Sequence, residues 1–248
     1  MKKLIFVTVT VLAILTLPYA QAQTTLTVNT FGAKWPQRTI GVNIPPDNEQ
    51  NYFVDNMALH AMQKWNAAMN WFMETYYPSE NVPLELVQSS SGQVTVVITY
   101  RNNYELSGST TYLQTEGYFT QMTVQLLLST QETVAKYFPS TEDYIDNVLS
   151  LVTHEFGHVL GLGEASTETY DIMCMRVLPS SQISTLDLYG ILEVSKGFQG
   201  TVILPSNIPY SYYYNATLVP EFPYQIVLLT CVVSICVVLE RSKLHTKS

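Results

Sequence analysis

The stretch HEFGHVLGLGE, residues 154–164, decides how the rest of this 248-residue sequence is interpreted. On a helix, His154 and His158 are one turn apart, so their imidazole rings point the same way. Two neutral imidazoles on one helical face can share a Zn²⁺ ion. Glu155 is rotated by about 100° from His154 and is expected beside the metal, where it can take a proton from bound water. These residues predict a zinc-binding helix with an adjacent carboxylate.

The residues after His158 predict a turn that brings a third ligand to the metal. Gly161 can take a positive φ without steric cost, so the helix can stop there and the chain can fold back. Position 164 is then expected under the metal, and Glu164 occupies it. A carboxylate binds zinc at about the same distance as an imidazole nitrogen. The sequence therefore predicts a site of two histidines and one glutamate.

This pattern resembles the metzincin zinc proteases, and most closely their matrixin branch. The family pattern is His-Glu-x-x-His-x-x-Gly-x-x-His, and the chain matches each fixed position except the last, where Glu164 replaces histidine. The resemblance implies a methionine turn below the metal, a role that falls to Met173. It also implies an α+β fold with a mixed twisted sheet, a long helix, an active-site helix and a C-terminal helix.

Other ligand sets remain open. Four further side chains could supply the third ligand: Glu193, Glu168, Asp171 and Cys174. Cys174 could equally be a small buried residue packed in the turn. Glu164 could be a plain loop residue at a degenerate, inactive site. The two remaining histidines are poorly placed for metal binding: His60 and His245.

Alternating apolar residues predict strands over 38–44, 94–100 and 118–128, with a weaker strand at 84–87. Apolar residues at steps of three and four predict a long helix over 54–76. Its predicted buried stripe is Met57, Ala61, Trp65, Ala68 and Phe72.

Two more helices are predicted from capping patterns. Ser140, with Asp143 three residues later, predicts the start of a helix over about 141–161. Ser184, with Asp187 three residues later, predicts a last helix that ends near residue 195. The residues predicted to face inward on the first of these helices are Ile145, Leu149, Val152, Phe156 and Leu160.

The two ends of the chain predict export and membrane attachment. Residues 1–22 combine two lysines, an apolar run and an Ala-Gln-Ala cleavage pattern, which is typical of a secretory signal peptide. Residues 222–239 are apolar and residues 240–248 are basic, which predicts a transmembrane anchor with a cytoplasmic tail. The stretch VPEFP, residues 219–223, resembles the P-E-F type of C-terminal segment of archaeal surface proteins.

Between these ends the sequence predicts a catalytic domain over 23–198 and a Tyr- and Pro-rich stalk over 199–221, with a glycosylation sequon at Asn215. Residues 23–221 hold 7 lysine and arginine residues against 19 aspartate and glutamate residues, a net charge of −12. Such a charge argues against nucleic acid and anionic membrane surfaces as partners. Cys174 is the one cysteine in this region, so an internal disulfide is excluded there.

The resemblance implies a zinc-dependent endopeptidase. Because the two ends of the chain predict export and anchoring at the cell surface, we expect it to hydrolyse peptide bonds of extracellular or cell-surface proteins. Glu155 would be its catalytic base, and one catalytic Zn²⁺ is expected. A structural Ca²⁺ is possible but is not indicated by the sequence. A peptide or protein substrate would lie extended along a strand near 112–123, and residues 176–179 would line an apolar side-chain pocket. The alternative is a catalytically inactive metzincin-like module for adhesion.

Overall fold

The computed structural model describes residues 26–46, 54–166 and 170–213 of the chain. These ranges contain four helices and two sheets, which confirms the predicted α+β class. The elements are β1 (Thr27–Thr30), β2 (Thr39–Asn43), α1 (Val54–Tyr76), β3 (Glu85–Gln88), β4 (Val94–Arg101), β5 (Ser107–Thr115), β6 (Tyr118–Ser129), α2 (Gln131–Tyr137), α3 (Thr141–Val159), β7 (Leu162–Ala165), α4 (Thr185–Lys196) and β8 (Thr201–Ile203).

The larger sheet has five strands in the order β3-β2-β4-β6-β5. Strands β2, β3, β4 and β6 run parallel to one another, whereas β5 is antiparallel to β6. The predicted mixed sheet is therefore confirmed. Because β5 is the last strand in this order, one of its backbone edges is not paired within the described sheet.

Helix α1 buries the whole stripe that its periodicity predicts. Its buried face packs against α3 as well as the sheet. The indole Nε1 of Trp65 donates a 2.8 Å hydrogen bond to the backbone oxygen of Thr153. Since Thr153 immediately precedes His154, this bond fixes the position of the histidine-bearing half of α3 relative to α1.

Helix α3 begins as predicted, with the Ser140 side chain accepting a hydrogen bond from the Asp143 backbone N–H. Its buried face is shifted by one residue in the first half. Tyr144 and Val148 are fully buried, whereas Ile145 and Leu149 are only partly buried. Apolar residues occur in adjacent pairs here, so periodicity alone does not define the centre of the buried stripe.

A second sheet, in the order β7-β1-β8, joins three short segments that are far apart in the chain. Strand β8 pairs antiparallel with β1, and the backbone N–H of Tyr213 donates to the oxygen of Ile183 at 2.8 Å. The structure thus places residues 201–213, predicted as the start of the stalk, against the domain. Backbone pairing on the edge of β1 accounts for this difference from the predicted boundary at residue 198.

The prediction of a membrane anchor has no support in the part of the chain that the structure describes and is corrected here. Among residues 26–46, 54–166 and 170–213, no helix is both long enough and apolar enough to cross a membrane. The segments on which the export and anchoring predictions rested, residues 1–22 and 222–248, lie outside the described residues, and so does Asn215.

Candidate metal centre

The two histidines of α3 present their Nε2 atoms toward one point. Their ring centroids are 4.5 Å apart, with an interplanar angle of 81°. His154 Nδ1 is 2.6 Å from the backbone oxygen of Ile172, and His158 Nδ1 is 2.9 Å from that of Leu162. Because a carbonyl oxygen only accepts, each Nδ1 carries the proton, and each Nε2 keeps a free lone pair in the neutral ring. Both imidazoles therefore have the tautomer that binds a metal through Nε2.

Burial favours the neutral form of both rings. It lowers the pKa of His154, with the hydrogen bond to Ile172 opposing the shift. It also lowers the pKa of His158, and the neighbouring His154 adds to that effect. Neutral imidazoles are the form that a metal ligand requires.

Glu164 completes the group from a strand rather than from a loop. Gly161 takes a φ of 97° between α3 and β7, and β7 then pairs with β1. Glu164 Oε1 lies 3.8 Å from the Nε2 atoms of both His154 and His158. Its Oε2 is buried without a hydrogen-bond partner among the described residues.

This donor set fits a zinc ion. One ligand atom from each of His154, His158 and Glu164 lies within 4.8 Å of the others. Two imidazole nitrogens and one carboxylate oxygen form a known zinc ligand set that leaves a fourth position open. Calcium, by contrast, takes six to eight oxygen ligands. The orphaned Oε2 of Glu164 is a buried acceptor that a cation would satisfy.

Glu155 lies beside the donors without joining them. The residue is only 3% exposed, and its Oε2 accepts a 2.7 Å hydrogen bond from the Thr110 hydroxyl. Burial raises the pKa of Glu155 to about 7; the Thr110 hydrogen bond opposes this shift and the charge of Glu164 adds to it. A carboxyl group with a pKa near neutrality can both take and return a proton.

Met173 lies beneath the histidine helix and is fully buried. Gly157 leaves the space for it, since a Cβ atom at that position would overlap the Met173 sulfur. The backbone of the turn is tied to both sides of the site. Met173 O accepts from the N–H of Ala165 at 2.8 Å, and Ile172 O accepts from His154. The turn therefore connects Glu164's strand with His154.

The alternative ligands do not join this group in the described part of the chain. Glu193 pairs with Lys196 at 3.1 Å on α4. Asp171 is buried, but its oxygens accept from the Met173 N–H and the Tyr210 hydroxyl. Cys174 is half-buried beside the turn. Glu168 and His245 lie outside the described residues, and His60 is exposed on α1.

An open cavity of about 600 Å³ contains the donor group. Its lining residues include Phe31, residues 106–110, Leu151, Glu155, the three candidate ligands and residues 175–177. The strand beside the cavity is thus the start of β5 instead of the predicted 112–123. Of residues 176–179, predicted to line the side-chain pocket, Arg176 and Val177 line this cavity and Leu178 and Pro179 do not.

A smaller cavity of about 210 Å³ adjoins the first one. The two cavities share Leu106, Leu151 and Val177. The other residues that line it are Tyr104, Phe138 and Asn147. Five of its six lining residues are apolar or aromatic, but the surface that they expose to the cavity is not predominantly apolar. The apolar side-chain pocket expected from the sequence stays a prediction.

Two contributors to the site were missed from the sequence. Thr110 contacts Glu155, and Phe31 stacks on His158 with ring centroids 5.4 Å apart. Tyr112 also stacks on Phe31, with ring centroids 5.0 Å apart. These residues belong to β5 and to the loop after β1, and neither segment carries a recognisable motif.

No family model matches the chain, and no curated protein is similar enough to match it. Among solved structures, the GM1-bound form of the ECX AB5 holotoxin is similar at 14% sequence identity with a TM-score of 0.38. The match covers 71% of this chain and 84% of that chain. The metzincin assignment therefore stays a prediction.

Proposed function

We propose that the chain is a zinc-dependent endopeptidase. One observation carries this proposal: two imidazole Nε2 atoms and the Glu164 carboxylate meet beside the buried carboxyl group of Glu155, in an open cavity. Metal ligands alone fit a structural site. An adjacent proton-transferring group and an open cavity are what hydrolysis needs.

His154, His158 and Glu164 would hold the metal. A bound Zn²⁺ would polarise the scissile carbonyl and lower the pKa of water in the site. Glu155 would take the proton from the attacking water and deliver it to the leaving amine, a role that suits its pKa of about 7. A ligand set with one carboxylate carries one positive charge fewer than a set of three histidines, so it would acidify water less.

The substrate would lie extended along β5. Residues 107–110 border the cavity, and the sheet order leaves this edge of β5 unpaired. Extended peptides add to such edges through backbone hydrogen bonds, and pockets beside the edge select side chains. In the adjoining cavity, the side chains of Leu106, Leu151 and Val177 would favour an apolar substrate side chain.

The proposal is tested with zinc analysis and a broad peptide-cleavage panel on the purified full chain. Wild type should hold about one zinc and cleave peptides. Glu155→Gln should keep the metal and lose at least about 100-fold of the cleavage rate, because it removes the general base. Glu132→Gln makes the same change on an exposed residue of α2 and should have no effect.

Full activity in Glu155→Gln would contradict the mechanism. Bound zinc without cleavage of any peptide in the panel would instead favour a catalytically inactive zinc module.

A further inference from the structure

Strand β5 packs directly against the carboxyl group of Glu155. Alternate residues of a strand face the same side, and Gly108, Thr110 and Tyr112 form the face of β5 that is partly buried. Gly108 and Thr110 contact Glu155, whereas Tyr112 reaches Phe31. The start of β5 therefore forms one wall around the proposed base.

The hydroxyl of Thr110 is close to two oxygens of Glu155. Its Oγ1 is 2.7 Å from the carboxylate Oε2 and 3.3 Å from the backbone oxygen. The shorter hydrogen bond has a charged acceptor when Glu155 is ionised, and such bonds are about twice as strong as neutral ones. Thr110 thus fixes the carboxylate relative to the backbone of α3.

Gly108 limits the carboxylate from a second direction. A Cβ atom added at Gly108 would overlap Oε1 and the carboxyl carbon of Glu155. The strand is therefore as close to Glu155 as a residue without a side chain allows. One carboxylate oxygen faces Gly108, and the other accepts from Thr110.

We propose that Thr110 is a positioning residue that orients Glu155 for proton transfer. This inference rests on the proposed function. Beyond the proposed function, it gives strand β5 two roles. The edge of β5 would bind the substrate backbone, and Thr110 of the same strand orients the proposed base, Glu155. The base and the scissile bond are then aligned through one element, and small misplacements of a reacting group are costly for rate.

Thr110→Val removes the hydroxyl and keeps the branched shape of the side chain. We expect it to bind zinc like the wild type and to keep KM within about twofold, while kcat falls at least about tenfold. Thr110→Ser restores the hydroxyl and should recover kcat to within about threefold of wild type. The matched control is Thr111→Val, which should leave kcat unchanged. Thr111 is exposed on the opposite face of β5 and does not line the cavity that contains the donor group.

Crystal structures of the zinc-loaded wild type and Thr110→Val give a readout that does not depend on activity. The Glu155 carboxylate should contact Thr110 in the wild type and should shift or split between conformers in the variant. The proposal is overturned if Glu155 keeps its place in Thr110→Val, if kcat is unaffected, or if Thr110→Ser is no better than Thr110→Val. Failure of the wild type to cleave peptides would instead refute the proposed function, and the two crystal structures would still decide the role of Thr110.

Discussion

Replacing Gly161 with alanine adds one methyl group at the turn between α3 and β7. The φ of 97° at Gly161 costs an alanine about 1–2 kcal/mol. The new Cβ would also lie 2.7 Å from Cγ1 of Val194, a fully buried residue of α4. Overpacking of this kind costs about 1–3 kcal/mol. The two effects together predict that Gly161→Ala lowers the free energy of unfolding by about 2–5 kcal/mol.

The two contributions are separable by urea unfolding of the metal-free protein. Val194→Ala removes the clashing methyl groups and should itself cost about 2 kcal/mol. In that background, Gly161→Ala should cost only the backbone part, about 1–2 kcal/mol. An equal cost of Gly161→Ala in both backgrounds would refute the steric argument, and a cost below about 1 kcal/mol in the wild type would refute both parts.

Two further predictions concern the carboxyl groups of Glu164 and Asp187. Glu164→Ala should lower zinc affinity at least about 100-fold, which is more than the loss of an outer-shell partner costs. Glu193→Ala is the control and should leave zinc affinity unchanged. Competition with a chelator measures both affinities, and equal losses in the two variants would exclude Glu164 as the third ligand. Asp187 is fully buried, and burial together with the Asp171 carboxylate raises its pKa well above the usual 3.8. The folded state therefore keeps a proton that the unfolded chain releases, so this contribution to stability is complete below about pH 3.8 and is lost as the pH rises through the folded pKa. The asparagine of Asp187→Asn cannot titrate. Between about pH 3.8 and the folded pKa, the free energy of unfolding of this variant should therefore rise relative to that of the wild type by up to about 1.4 kcal/mol per pH unit. Urea unfolding at several pH values measures this difference, and a difference that does not change with pH would contradict the prediction.

Elements with a clear hydrophobic period could be predicted from the sequence. Helix α1 has the predicted bounds, because its apolar residues recur at one helical spacing over six turns. Strands β4 and β6 alternate apolar and polar residues and were predicted as well. The start of α3 followed from Ser140, since a cap depends on residues only three apart.

The short strands β1, β7 and β8 could not be predicted in the same way. Each has three or four residues, too few for a period to be visible. Their stability comes from backbone pairing between segments that are distant in sequence, such as Val28 with Val202 and with Ala165. Glu164 belongs to β7, so the backbone that aims its carboxylate depends on residues more than 130 positions away. The motif therefore predicted the residue but not the strand that carries it.

Thr110 shows why a motif cannot supply the whole site. Its segment, SGSTTYLQT, has few apolar residues and contains three consecutive hydroxyl residues at 109–111, so residue type does not distinguish Thr110 from its neighbours. The distinction arises from register, because Thr110 pairs with Val124 of β6. A slip of one residue would turn every side chain of β5 to the other face, and Ser109 or Thr111 would then meet Glu155. The register of the paired sheet therefore determines which hydroxyl reaches the proposed base. For the same reason, the exposed Thr111 next to Thr110 is the best-matched control for the role of Thr110.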